Sequence, residues 1–183
     1  MTDQEKAIEY VSNFLGDKTK RVLLVRGYDN KAKVKVVLSC LNEVFDKGII
    51  RTSSMSDISS FINEAFNFKF LPSAVKSTTT YKIGKMAVRL NSYASNTKSN
   101  PTGNEGTFTL FYPLQTVLDN SKRYADFLDD IKNAKSSKVI LITTNEWGIK
   151  NWDIENQVDE VYFYNVENDN PQLISNLKNN KAI

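Results

Sequence analysis

Histidine is absent from this chain of 183 residues. That excludes a Ser-His-Asp or Cys-His pair, imidazole proton transfer and imidazole metal ligation. Cysteine occurs once, as Cys40, which excludes an intramolecular disulfide and, without histidine, the usual N/S zinc site. Cys40 falls within an apolar helical pattern and reads as a buried structural thiol. No apolar run approaches the roughly 20 residues that span a bilayer. The charged, amphipathic opening MTDQEKAIEYVSNFLG does not read as a secretory leader. The expected setting is the cytoplasm, with no membrane contact. Any chemistry falls to carboxylates, Lys, Arg, Tyr, Ser or a hard metal ion.

Acidic residues are missing from one stretch. Between Ala65 and Asn104 stand six basic residues (Lys69, Lys76, Lys82, Lys85, Arg89, Lys98) and no acid, although the net charge of the whole chain is only +3. A basic middle in a balanced chain predicts a surface that faces a polyanion.

What is present is ordinary globular material, 40% apolar and 25% charged, enough for one domain over residues 1–183. Helical spacing marks Asp3–Leu15, Lys35–Phe45, Asp57–Phe66, Ser121–Ala134 and Pro171–Asn179, with Gly48 read as the stop of the second. Short apolar runs at Val22–Arg26, Ile49–Thr52, Thr107–Tyr112, Lys138–Thr143 and Val161–Tyr164 predict strands without solvent-facing alternation. Thr78–Tyr93 alternates around Gly84 and predicts a hairpin. The polar Ala94–Gly106 that follows predicts a mobile loop or tip. Buried strands separated by amphipathic helices predict an α/β three-layer sandwich with a mostly parallel central sheet. The basic β-hairpin and its loop, about residues 76–106, form an insertion on it.

Ligands in such sheets bind beyond the carboxyl ends of the strands. The run Gly27-Tyr28-Asp29-Asn30-Lys31-Ala32-Lys33-Val34 follows the first strand there and precedes a helix. Its Gly27 and Lys33 have the spacing of a phosphate-binding loop, and in this the chain resembles the P-loop NTPase family. The resemblance runs in element order from Lys20 to Tyr164. It implies a nucleotide as cofactor and phosphate or anion contacts at Gly27, Asn30, Lys31, Lys33 and Asn145. Asn145 belongs to VILITTN, which with Thr143 and Thr144 stands where the family senses the terminal phosphate. Two departures point to one lost ion. Val34 replaces the hydroxyl residue that helps hold Mg²⁺, and TFTLFY ends in Tyr112-Pro113 where the family has an acid. Ala32 replaces the second glycine and adds a Cβ that disfavours positive φ. The expectation is a degenerate Walker A, no recognisable Walker B, and a non-hydrolysing or weakly active binding or regulatory module. Read without the resemblance, the run is an ordinary strand-to-helix turn, for which Gly-Tyr-Asp-Asn suffices.

Two other constellations stand out. Lys82, Lys85, Arg89, Tyr93 and Lys98 make a basic hairpin suited to the phosphate backbone of DNA or RNA, with tyrosine available to stack on a base. The plainer reading is an edge hairpin that uses lysine against edge-to-edge pairing. Glu146, Asp153 and Glu155 follow the most apolar strand. They are the catalytic candidates of an alternative, a nuclease or nucleotide hydrolase using Mg²⁺. Trp147 and Trp152 in the same loop are candidate anchors for a protein partner, which gives a third alternative, a structural interaction domain.

Overall fold

The structure, a computed structural model, describes residues 1–114, 117, 119–144 and 146–183. Helix α1 (Asp3–Gly16) starts at Thr2 in a reciprocal capping box with Glu5. Strand β1 (Val22–Arg26) follows. Helix α2 (Asn30–Val44) is capped by Asp29, whose carboxylate accepts the Ala32 N–H at 2.9 Å. It begins earlier than its apolar periodicity predicted, because its first turn, Asn30–Lys33, carries no apolar stripe. Gly48 does not stop this helix. It lies in β2 (Lys47–Thr52), where a Cβ would come within 2.1 Å of the Phe108 ring.

Helix α3 (Ile58–Phe66) leads to β3 (Thr80–Ile83), β4 (Met86–Ser92) and β5 (Thr107–Phe111). Helix α4 (Ser121–Asn133), β6 (Lys138–Ile142), β7 (Glu160–Phe163) and α5 (Pro171–Asn179) complete the chain. Short 3₁₀ turns at Gly148–Asn151 and Ile154–Gln157 join β6 to β7.

The seven strands form one sheet in the order β3-β4-β2-β5-β6-β1-β7. Every pairing is parallel except β3 with β4. The α/β three-layer sandwich is therefore present. The basic hairpin is present too, and its second strand is built into the sheet: β4 pairs with β2 from Lys47↔Ala87 to Thr52↔Ser92. The two cores lie on opposite faces. One joins α1, α2, α3 and α5 through residues such as Val11, Val37, Ile62 and Ile174. The other joins α4 and the 3₁₀ turns through Phe127, Ile131, Ile149 and Ile154. The alternating strand positions feed both, Leu23 one face and Leu24 the other, and each buried aliphatic contributes roughly 1.5–3 kcal/mol. Among the described residues no helix is long and apolar enough to cross a membrane.

The polar segment after β4 is mostly exposed but tied back at several points: Arg89 donates to the Ser99 hydroxyl at 2.7 Å, the Ser99 N–H donates to the Ser77 hydroxyl at 3.3 Å, and the Lys135 N–H donates to the Thr102 carbonyl at 2.7 Å. These ties are not disclosed by composition.

This topology opens one crevice. After β1 the chain turns through α2 on the first face toward β2. After β6 it crosses the second face over β1 to reach β7. The adjacent carboxyl ends of β1 and β6 therefore part to opposite sides, which is where open α/β sheets take ligands.

Candidate functional site

The crevice is filled from α2. Lys33, in the first helical turn, sends its ammonium between the two strand ends, where it donates to the carbonyls of Gly27 and Thr143. Its exposure is 0%. Desolvation pulls its pKa down from 10.5 to about 7, against the opposing pull of Glu146 and Asp29.

Gly27 is required on geometric grounds. Its φ is +134°, and a Cβ there would meet the Tyr164 carbonyl oxygen at 2.5 Å. Tyr164 in turn donates its N–H to the Arg26 carbonyl at 2.9 Å. The glycine thus lets the end of β7 close against β1, a role independent of any ligand.

The position an anion would take beside Gly27 holds a carboxylate. Glu146 accepts the Gly27 N–H at 3.0 Å and the Thr143 hydroxyl at 3.2 Å on Oε1. Its Oε2 accepts Arg26 Nε at 2.9 Å and Nη2 at 2.5 Å. Arg26 spans a second carboxylate, Glu155, through Nη1. These ion pairs hold the guanidinium pKa above its ordinary value, although burial alone would lower it. Arg26 drew no attention in the sequence. A charged residue ending a buried strand was the available signal.

The other anion candidates disperse. Lys31 points out and pairs with Glu64 on α3 at 3.3 Å. The Asn30 side-chain oxygen is buried with no hydrogen-bond partner among the described residues. Asn145 lies outside the described residues. At the end of β5, Tyr112 is buried and meets Phe61 edge-on at 5.8 Å.

The three catalytic candidates do not form one cluster. Glu146 and Glu155 are drawn to Arg26, whereas Asp153 accepts the Tyr124 hydroxyl at 2.7 Å and Gln157 Nε2 at 3.0 Å. The Tyr124 bond leads in lowering the Asp153 pKa. Among the described residues no group of three or more Cys, Asp or Glu is placed to hold a metal ion. The two tryptophans separate as well. Trp152 packs against Tyr124 with tilted rings 4.6 Å apart in the second core, whereas Trp147 is 56% exposed.

The basic hairpin is divided between inside and outside. Arg89 donates to the Ser77 carbonyl at 2.8 Å and to the Ser99 hydroxyl at 2.7 Å, which ties the polar loop to the sheet edge. Tyr93 packs between Phe111 and Phe127 and donates to the Pro113 carbonyl. Both are committed to the protein's own packing, so base stacking by Tyr93 is not available in this arrangement. Lys85 reaches the Glu43 carbonyl at 3.3 Å and Asp46 at 3.9 Å. Lys76, Lys82 and Lys98 are exposed, with no carboxylate partner among the described residues.

One further cation was missed. Lys138, at the start of β6, is buried and donates to the carbonyls of Phe14, Asp17 and Lys20 at 2.6–2.8 Å. It closes the carboxyl end of α1, as cations near helix C-termini do. Compared with known proteins, the chain matches no family model, no curated protein and no solved structure.

Proposed function

We propose that this chain is a non-hydrolysing, P-loop-like module that acts by binding. The observation that carries the reading is the closed state of the loop after β1. The Lys33 ammonium is spent on two backbone carbonyls and the Gly27 N–H on the protein's own Glu146. The likeness to a phosphate loop rests on the Gly27–Lys33 spacing and the element order alone, since α2 already begins at Asn30 and Lys33 fills the crevice between β1 and β6. Val34 brings no hydroxyl, and Tyr112-Pro113, just past β5, no carboxylate for an ion at its mouth. The metal-dependent hydrolase is disfavoured by the separate bonding of Asp153. The test is thermal melting with millimolar ATP or GTP, with and without Mg²⁺, together with a phosphate-release assay. The expected result is no shift and no turnover. Turnover that disappears in Lys33→Ala would reject the reading.

A second contact is favoured by one observation. Lys76, Lys82 and Lys98 cluster in sequence around the β3 edge, exposed and without carboxylate partners among the described residues. We propose that this edge meets the phosphate backbone of a nucleic acid, with cations supplying affinity rather than base readout.

A further inference from the structure

We propose that Glu146 is a built-in anion occupying an oxyanion site, and that the site takes a free phosphate-class oxyanion when that carboxylate is withdrawn. The inference rests on the closed-loop reading above and names the ligand class of the same position.

Three independent donors converge on the Glu146 carboxylate: the Arg26 guanidinium, the Gly27 N–H and the Thr143 hydroxyl. Ion pairing alone would need only the guanidinium. A planar guanidinium fork beside a backbone N–H and a hydroxyl is equally a receptor for phosphate oxygens.

Removal of the carboxylate leaves an electropositive hole. The Gly27 N–H loses its acceptor and the Arg26 guanidinium keeps only the more exposed Glu155. Buried donors left unsatisfied are costly, so an incoming oxyanion regains what the carboxylate supplied.

An open cleft lies beside the site. A cleft of about 310 Å³ lined by Tyr28, Thr144, Glu146, Trp147 and Leu177 borders Glu146 on the side away from its donors, none of which lines it. Glu146 belongs to no helix or strand, so its replacement breaks no strand pairing. The molecule holds its own competitor for the site.

The test compares the parent, Glu146→Gln, Glu146→Ala and the double variant Glu146→Ala/Arg26→Ala. Each is melted in sodium chloride and in inorganic phosphate or pyrophosphate at matched ionic strength. Glu146→Ala is expected to gain on the order of 5 °C from phosphate over chloride, with no gain in the parent or the double variant. Glu146→Gln, which keeps an acceptor for Gly27, falls between. If Glu146→Ala shows no melt, its refolding from urea is followed by circular dichroism as phosphate is added. Recovery specific to phosphate and lost in the double variant supports the proposal. An equal response to phosphate and chloride, in melting or refolding, overturns it, and so does a parent that responds as strongly as Glu146→Ala. A parent that hydrolyses nucleotide breaks the closed-loop reading instead, whichever way the variants behave.

Discussion

Arg26 holds Glu146 through both Nε and Nη2, at 2.9 and 2.5 Å on the same oxygen, although the two residues are 120 positions apart. The pair joins the end of β1 to the connection that follows β6. Glu146 is almost wholly buried, so truncation of its partner strands a carboxylate. Arg26→Ala is expected to lower the unfolding free energy by about 2–3 kcal/mol, discounted because Arg26 is itself partly exposed. Arg26→Lys, which keeps charge but loses the fork, is expected to recover part of this. Urea titration of the three proteins measures it, and an Arg26→Ala midpoint equal to the parent's would remove the structural weight given to the pair.

Lys33 makes a pH prediction. Its folded pKa of about 7 lies below the ordinary value of 10.5. Between those limits the unfolded chain binds a proton that the folded chain has released, so stability rises with pH. The cost of burying the charge is full below about pH 7 and is relieved above it. The slope from this group approaches but does not exceed about 1.4 kcal/mol per pH unit. Urea midpoints from pH 7 to 8.5, below the titration of free tyrosine, are expected to climb in the parent. They are expected to climb measurably less in Lys33→Met, and parallel profiles would contradict the assignment.

Gly27 tolerates no side chain. Its positive φ and the Tyr164 oxygen at 2.5 Å from a notional Cβ predict that Gly27→Ala costs roughly 2–4 kcal/mol. The damage is expected to localise at β7. Hydrogen exchange is expected to accelerate at Tyr164, whose N–H pairs with Arg26, before it does in β5. Uniform acceleration would argue against a local clash.

The β3 edge predicts a salt dependence. If the parent binds single-stranded or duplex nucleic acid, the triple variant Lys76→Ala/Lys82→Ala/Lys98→Ala is expected to bind more weakly at all sequences. Its log–log salt slope is expected to be shallower by up to about 2–3. Fluorescence anisotropy from 50 to 200 mM salt decides it. An unchanged slope assigns these lysines to solvation and edge protection alone.

The strands were legible because β1, β5 and β6 are short, largely apolar runs buried on both faces. The hairpin was legible from Gly84 and the alternation around it. The start of α2 was not, since Asn30-Lys31-Ala32-Lys33 is polar while the Asp29 cap that sets the boundary leaves only a weak local mark. Gly27 and Lys33 were found by spacing, but not the burial of that lysine. A lysine reads as exposed or ligand-seeking, and only the parting of β1 and β6 creates a place for it between two carbonyls. Arg26–Glu146 left no local pattern, being a contact between distant segments. Arg89 and Tyr93 were assigned outward because the sequence does not say which sheet face its own polar loop will cover.

The strand order also sets a timetable. Val25 and Thr143, which meet across β1 and β6, are 118 residues apart, and β7, the other neighbour of β1, comes later still. During synthesis β2, β4 and β5 are available to pair with one another while Val22–Val25 has no strand on either side. The N-terminal helices are then the early cover for that run, α1 and α2 lying on one face with the other bare. The last quarter of the chain supplies both strands that flank β1 and so covers its two open edges. A chain that stalls before β6 exposes that bare apolar strand to its neighbours.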